Sequence, residues 1–219
     1  MAQVVIFGAG DIARLASVYF TRDSGHQVVA FAVDPQFRRT DELLGLPVVD
    51  FDDACCRFPP ESHSMFIALS YGHMNRDRAG KYDVAKARGY TLVSYVSSRC
   101  TFLSDEPVGD NCFILEDNTI QPFVKIGSNV TMWSGNHIGH DSVIDDHCFI
   151  TSHVVVSGHV HVGAYSFLGV NATLRNSISL APATLVGAGA VIMKDTIETG
   201  VYMAQRAELF PKRSDKVAL

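Results

Sequence analysis

Histidines are concentrated in one stretch of this 219-residue chain. Six lie within 25 residues, namely His137, His140, His147, His153, His159 and His161. Imidazole exchanges a proton near neutral pH and also binds metal ions, so such a stretch predicts either acid–base catalysis or a metal centre. The intervals of 3, 7, 6, 6 and 2 residues match no common ligand spacing and predict side chains on different faces. We therefore expect proton transfer and no metal.

Asp141 directly follows His140, and a neighbouring carboxylate can orient an imidazole ring. Adjacent residues of a strand point in opposite directions, so a turn is needed to bring the two side chains together. His137 is the reserve candidate for a general base.

An aliphatic residue recurs at every sixth position around these histidines. The series is Val108, Ile114, Ile120, Ile126, Met132, Ile138, Ile144, Ile150, Val156, Val162, Leu168, Leu174, Leu180, Val186 and Ile192. This short fixed period is typical of a parallel β-helix, because neither a helix nor a flat strand repeats every six residues. Three hexads would form one triangular coil, with the anchor in the core, a turn after it and a small residue at the fifth position. The hexads begin after residue 104 and predict four to five coils.

Before residue 100 the pattern alternates between strands and helices. Strands are predicted over residues 3–7, 27–33, 46–49, 64–70 and 90–96, and helices over 11–22 and 75–88. This alternation predicts a small parallel sheet covered by helices, in a Rossmann-like domain over residues 1–100. The β-helix with a C-terminal cap would then occupy residues 101–219.

A glycine turn connects the first predicted strand to the first helix. Gly8 and Gly10, followed by Asp11, stand where a dinucleotide fingerprint places its phosphate-binding turn, and Asp34 ends the second strand. Nucleotide binding is favoured over a merely structural turn, and NAD is disfavoured because the domain is only half of a full doubly wound fold.

A second group of polar residues follows the fourth predicted strand, at the sheet edge where such folds bind ligands. Tyr71, Asn75 and Arg78 belong to this group, and Arg78 is a candidate partner for a diphosphate; the alternative is an ordinary surface helix.

Composition excludes several other classes. A net charge of −5 disfavours nucleic acid as a partner. No apolar run is long enough to span a bilayer, and the N-terminus lacks the basic segment of a signal peptide. The five cysteines follow no disulfide or metal spacing, which is typical of free thiols, so we expect a cytoplasmic protein.

Four segments carry a resemblance to a known family. They are residues 68–78 (ALSYGHMNRDR), 134–141 (SGNHIGHD), 148–153 (CFITSH) and 163–169 (GAYSFLG). With the hexads, they make the chain, over about residues 2–215, resemble the hexapeptide-repeat acyltransferases of the sialic-acid O-acetyltransferase-like family, which includes N-acetyltransferases of nucleotide-linked amino sugars. The resemblance implies a left-handed β-helix, a homotrimer, acetyl-CoA in a groove between prisms, a nucleotide sugar in the first domain and His140 as the base.

The expected function is N-acetylation of a UDP- or dTDP-linked amino deoxysugar by direct attack on acetyl-CoA. Gly158 is the candidate oxyanion donor. Small residues leave room for the pantetheine arm, so Gly158, Val170, Asn171, Gly187 and Ala188 are the candidate acetyl-CoA contacts. The alternatives are an O-acetyltransferase of a free sugar such as sialic acid, and a non-catalytic nucleotide-binding β-helix module.

Overall fold

The computed structural model describes residues 2–209 and 211–217. Met1, Phe210, Ala218 and Leu219, at the ends of the two predicted domains and in the predicted cap, lie outside the described residues. The described part of the cap is extended or irregular, except for a 3-10 turn over Ser214–Lys216.

The first domain is one twisted sheet with helices packed on it. Its strands are β1 (Gln3–Phe7), β2 (Gln27–Val33), β3 (Glu42–Leu43), β4 (Leu46–Asp50), β5 (His63–Ile67) and β6 (Thr91–Leu92), and its helices are α1 (Asp11–Asp23), α2 (Phe51–Arg57) and α3 (Arg76–Ala87). The order is β3-β4-β2-β1-β5-β6, and all neighbours are parallel except β3 with β4. The alternating strand–helix prediction is confirmed, whereas α2 and β3 have no signal strong enough to have been predicted.

The second domain is a triangular prism of two-residue parallel strands, numbered onward in chain order. The first face, called the docking face, contains β7 (Tyr95–Val96), β9 (Phe113–Ile114), β12 (Thr131–Met132), β15 (Phe149–Ile150), β18 (Phe167–Leu168), β21 (Leu185–Val186) and β23 (Val201–Tyr202). The second face contains β8 (Thr101–Phe102), β10 (Thr119–Ile120), β13 (His137–Ile138), β16 (Val155–Val156), β19 (Thr173–Leu174) and β22 (Val191–Ile192). The third face contains β11 (Lys125–Ile126), β14 (Val143–Ile144), β17 (His161–Val162) and β20 (Ser179–Leu180).

Each hexad uses its positions in the same way. From Ile114 to Ile192 the aliphatic anchor ends a strand and points into the core, whereas Val108 packs against the core outside any strand. The fifth residue is buried at the corner, as predicted. The fourth residue adopts the left-handed conformation in every hexad from Asn111 to Gly189, with φ between 54° and 80°. The sequence predicts that the second residue of each hexad opens the turn, whereas in the structure the turn depends mainly on the conformation of the fourth residue. Asn, Asp and His tolerate this conformation better than most side chains.

The prism is longer than the anchor series predicted. Val96 and Phe102 keep the hexad phase and pack against the same core, and Tyr95–Val96 pairs with Phe113–Ile114. The strand predicted over residues 90–96 is thus two strands, one in each domain. The docking face holds seven strands, which at the usual strand separation give a height of about 29 Å.

The first domain packs on the docking face through aromatic side chains. Phe113 lies against Tyr19 and Phe66, with ring centroids 5.7 Å and 5.5 Å away. Tyr71 contacts Phe149 and Phe167 at 5.1 Å and 4.9 Å. The two predicted domains therefore share a continuous hydrophobic contact.

Arg78 joins the helix α3 to one corner of the prism. Its side chain is buried, and its guanidinium donates to the backbone oxygens of Asn129, His147 and Cys148 and to the side-chain oxygens of Asn75 and Asn129. Among the described residues, no carboxylate forms a salt bridge with it. Burial lowers the pKa of Arg78 to about 10, so it keeps its charge at neutral pH.

Replacing Arg78 by Met should destabilise the protein strongly, because it leaves several buried carbonyl oxygens without a donor. We expect the free energy of unfolding to fall by about 3 kcal/mol or more. Arg76 lies on the same helix but is exposed, with its guanidinium 5.0 Å from the Tyr165 ring centroid, so Arg76→Met should cost less than about 1 kcal/mol. Denaturant titrations of both variants measure the difference, and equal losses would contradict the assigned role.

Candidate active site

His140 and Asp141 are brought together by the turn in which they lie. Asp141 is the left-handed residue of its hexad, with φ of 58°, and its Oδ2 atom lies 2.8 Å from His140 Nδ1. The two side chains are 52% and 42% exposed. This contact favours the tautomer with the proton on Nδ1, which leaves Nε2 free to accept a proton.

His159 completes the cluster from the next coil. Its ring is nearly perpendicular to that of His140, at 88°, with centroids 4.9 Å apart, and its Nε2 lies 3.9 Å from Asp141 Oδ2. A coil contains eighteen residues, as the strand register of β13 and β16 shows, so residue 159 stacks on residue 141. The expectation that the histidines scatter over different faces is therefore wrong for this pair.

Gly158 stacks on His140 by the same register. A Cβ atom at position 158 would lie only 2.7 Å from His140 Nε2. Other hexads carry side chains at this third position, among them Ala164, Val170 and Ala188, so the backbone does not require glycine there. Glycine at 158 therefore keeps Nε2 accessible. Within the described residues, no hydrogen bond uses the Gly158 N–H.

The other candidate contacts for acetyl-CoA lie at a different corner. Val170, Asn171, Gly187 and Ala188 are at the corner between the docking face and the second face, across the second face from His140. Gly189 N–H donates to Val170 O at 2.8 Å, which shows how these coils stack. His137, the reserve base, points outward from the second face between the two corners and is half-buried.

The corner that carries His140 lies opposite the docking face. This corner, called the base corner, contains His140, Asp141, Gly158 and His159 and joins the second face to the third. The first domain of the same chain covers the docking face, so it lies on the other side of the prism from its own His140. This separation follows from the triangular cross-section.

The first domain has a cavity of about 750 Å³ at the carboxyl ends of its strands. Gly8, Gly10 and Asp34 line it, as expected for a fingerprint turn and for the end of β2. Gly10 precedes α1, so the helix N-terminus and its free N–H groups face the cavity, an arrangement that favours phosphate. Gly8 has φ of +123° and would place a Cβ 2.8 Å from Ala68 O, so glycine is also needed there for the backbone alone.

Cationic and aromatic residues of the cavity were missed in the sequence. Lys81 Nζ lies 2.6 Å from Asp34 Oδ1, and both line the cavity together with Arg39 and Phe37, whose side chain is 63% exposed. Lys81 is on α3, whose position over the strand ends depends on the fold. Phe37 and Arg39 sit in the connection after β2, where the sequence shows no motif.

Four of the predicted nucleotide contacts do not line the cavity. Arg78 and Asn75 are fully buried against the prism, where Asn75 Nδ2 donates to Tyr165 O at 3.0 Å, so neither faces the cavity. The predicted pairing of Arg78 with a diphosphate is therefore wrong. Tyr71 packs on the docking face and does not line the cavity. Asp11 is 93% exposed beside Arg14 and lies outside the lining.

The turn that precedes α3 has an unusual backbone conformation, which the contact of Asn75 with the prism explains. His73, Met74 and Asn75 all have positive φ, between 47° and 65°. Consecutive left-handed residues are costly. The hydrogen bonds from the buried Asn75 to the prism offset that cost, so the turn is maintained by the contact between domains.

Several solved structures share this two-domain fold over nearly the whole chain. A variant of perosamine N-acetyltransferase from Caulobacter crescentus, in complex with CoA and GDP-perosamine, is 25% identical, with a TM-score of 0.82 over 93% of this chain and 94% of that one. The acetyltransferase domain of PglB from Neisseria gonorrhoeae, in complex with acetyl coenzyme A, is 20% identical, with a TM-score of 0.79 over 92% and 96%. WeeI from Acinetobacter baumannii is 19% identical, with a TM-score of 0.77 over 92% and 96%.

These likenesses confirm the predicted fold, an α/β first domain followed by a left-handed parallel β-helix. The likeness to perosamine N-acetyltransferase confirms the resemblance to hexapeptide-repeat sugar N-acetyltransferases. The Caulobacter and Neisseria structures are of acetyltransferases, the first bound to CoA and GDP-perosamine and the second to acetyl coenzyme A. No protein-family model matches the chain. The helices of residues 2–209 and 211–217 include none that is long and apolar enough to cross a membrane.

Replacing Gly158 by Ala should displace the His140 ring without unfolding the prism. The added methyl would lie 2.7 Å from Nε2, so the ring must rotate and the contact with Asp141 should lengthen beyond hydrogen-bond range. A crystal structure of the variant measures this distance. Asn176→Ala, at the exposed third position one coil further on, is the matched control and should leave the ring in place. An unmoved ring in Gly158→Ala would show that the position of the His140 ring does not depend on glycine at residue 158.

Proposed function

We propose that this protein is an acetyl-CoA-dependent N-acetyltransferase that acetylates the amino group of a nucleotide-linked amino deoxysugar. The observation that carries the proposal is the His140–Asp141 pair, which leaves Nε2 exposed beside the backbone of Gly158. The likeness to perosamine N-acetyltransferase supports the acceptor class.

In the proposed reaction His140 is the general base. Its Nε2 accepts the proton of the sugar amine while the amine nitrogen attacks the thioester carbonyl of acetyl-CoA. Asp141 accepts the Nδ1–H and stabilises the imidazolium that forms. The tetrahedral intermediate then collapses to the amide, and the departing CoA sulfur takes up the proton. Direct transfer is favoured because both buried prism cysteines, Cys112 and Cys148, have pKa values raised to about 12 by burial and are weak nucleophiles.

The Gly158 N–H is the proposed donor to the developing oxyanion. It lies beside His140 and is not used by other described residues, so it remains available. A backbone amide is held in place before reaction, which makes it an effective oxyanion donor.

A homotrimer would bring together groups that one chain holds apart. The cavity belongs to the first domain, which covers the docking face, whereas the base corner lies opposite that face. We therefore propose that the acceptor bound in one subunit reaches the base corner of a neighbour. Acetyl-CoA would lie in the groove between their prisms, where Val170, Asn171, Gly187 and Ala188 of one subunit would supplement the base corner of another. Because acetyl-CoA is the proposed donor, the cytoplasm remains the expected compartment of the reaction.

The cavity of the first domain is the proposed nucleotide site. The N-terminus of α1, Arg39 and Lys81 would hold the diphosphate, and Phe37 would stack on the base. Asp34 is paired with Lys81, so it would have to share that partner in accepting a ribose hydroxyl. The predicted nucleotide of the sugar substrate is UDP or dTDP, and GDP is the alternative.

Replacing His140 by Asn should reduce acetyl transfer by a hundredfold or more, since general-base catalysis typically contributes that much. Thiol release from acetyl-CoA is measured against UDP-, dTDP- and GDP-linked 3-amino and 4-amino deoxysugars, with free sialic acid as a further acceptor. His137→Asn is the matched control and should retain most of the activity.

An unchanged rate in His140→Asn would overturn the assignment of the base. Release with sialic acid alone would replace the proposed acceptor by a free sugar. If the wild-type protein binds nucleotides but releases no thiol with any acceptor, the alternative of a non-catalytic nucleotide-binding β-helix module would be favoured.

Replacing Phe37 by Ala should weaken nucleoside diphosphate binding about tenfold, because stacking on an aromatic ring contributes roughly 1–3 kcal/mol per base. Calorimetric titration with UDP, dTDP and GDP measures the dissociation constants. Phe123→Ala removes an equally exposed phenylalanine from the prism and should change none of them. Equal affinities in both variants would exclude stacking on Phe37.

A further inference from the structure

The base corner holds three potential metal ligands at close quarters. Ligand atoms of His140, Asp141 and His159 all lie within 4.8 Å of one another. Asp141 Oδ2 lies between the two rings, 2.8 Å from His140 Nδ1 and 3.9 Å from His159 Nε2. The three side chains are 42% to 58% exposed, so an ion can reach them without rearrangement of the fold.

These separations are close to those of ligands that share one ion. Zinc binds imidazole nitrogen and carboxylate oxygen at about 2.0–2.2 Å, so two ligands of a tetrahedral site lie about 3.3 Å apart. The two observed separations lie about half an ångström on either side of that value, which side-chain rotation can supply. Three protein ligands and one open position facing solvent are the composition of accessible zinc sites.

We propose that His140, Asp141 and His159 bind a divalent transition-metal ion of the zinc type and that this ion inhibits the enzyme. The donor set favours zinc, nickel or copper over magnesium or calcium, which require mainly oxygen ligands. The site differs from the proposed acyl-transfer machinery in including His159, which that machinery does not use.

The inhibitory effect follows from the proton on His140, and it rests on the proposed function of that residue. A metal ion that binds Nδ1 displaces the proton from this nitrogen. The neutral ring then carries its proton on Nε2, which becomes a donor and cannot accept the proton of an amine. No electron transfer and no further reactant are involved, so removal of the ion restores the original tautomer.

A second His–carboxylate pair on the prism provides the matched control. His161 Nε2 lies 2.8 Å from Asp145 Oδ2, with the side chains 51% and 37% exposed, much like His140 and Asp141. No second histidine joins that pair, and within residues 2–209 and 211–217 the His140 cluster is the one such group of three. If the metal binds to His140, Asp141 and His159, replacing His161 should leave the metal affinity unchanged.

Binding is tested first with Co²⁺ and Zn²⁺ and without any substrate. Protein freed of metal is titrated with Co²⁺ while the visible absorption of the ion is followed, and with Zn²⁺ in a calorimeter. We expect one ion per chain, and at least tenfold weaker binding in His159→Asn. His161→Asn should bind as the wild type does. Equal affinities in His159→Asn and the wild type would overturn the site, whether or not the protein proves to be an acetyltransferase.

Inhibition is tested second, with Zn²⁺ added to the acetyl-transfer assay. We expect loss of activity that EDTA reverses, with the midpoint of inhibition at least tenfold higher in His159→Asn than in His161→Asn. The rate of each variant with Zn²⁺ is divided by its own rate without metal. Any effect of the His159 substitution on the metal-free rate therefore does not change the midpoint of inhibition. Full activity with the site saturated by Zn²⁺ would overturn the inhibitory role.

Discussion

The stacking of residues at an interval of eighteen is the constraint on which the rest of the structure depends. The hexads that begin at Val108 to Val186 all place their fourth residue in the left-handed conformation, so each corner repeats the same backbone from coil to coil. Side chains eighteen residues apart are therefore in contact whatever their chemistry. Asp141 meets His159 and His140 meets Gly158 for this reason. The prism supplies fixed positions, and the sequence determines which groups occupy them.

One corner of the prism is specialised for contact with the first domain. Asn111, Asn129 and His147 follow one another at the corner that faces α3, where Asn111 also pairs with the backbone of Ile67 at the end of β5. Arg78 inserts its guanidinium into this ladder. Because the acceptors are backbone and amide oxygens with fixed directions, they hold the first domain in one orientation. A domain that presents a substrate to another subunit needs a fixed orientation. A small rotation of the first domain on the prism would displace the reacting amine from the base by a large distance.

Local patterns in the sequence predicted the elements well, and contacts between domains account for what they missed. The anchors from Val108 to Ile192 define the prism because each one depends only on its own hexad. Arg78 was misread because it follows a strand at the ligand-binding edge, and its burial depends on a corner about fifty residues further along the chain. The strand at Tyr95–Val96 was assigned to the wrong domain for a similar reason: its apolar residues suit either sheet, and only its pairing with Phe113–Ile114 decides between them. The contact between His140 and Gly158 can be predicted from the sequence, because three hexads make a coil of eighteen residues. The same interval separates Asp141 from His159 and therefore also predicts that contact.

An exposed base is unusual for a step that benefits from exclusion of water, and the geometry of the prism explains how the exposure can be removed. Among the described residues, the hydrogen bonds and ion pairs of the base corner are all made within the prism, because the first domain occupies the opposite face. In the proposed trimer the corner would be enclosed by the neighbouring prism, the bound acetyl-CoA and the incoming sugar. Electrostatic contacts such as that between His140 and Asp141 strengthen when water is displaced. The base would then be fully effective only when both substrates are in place, and between turnovers the same openness would leave His140, Asp141 and His159 accessible to any ion that prefers nitrogen ligands.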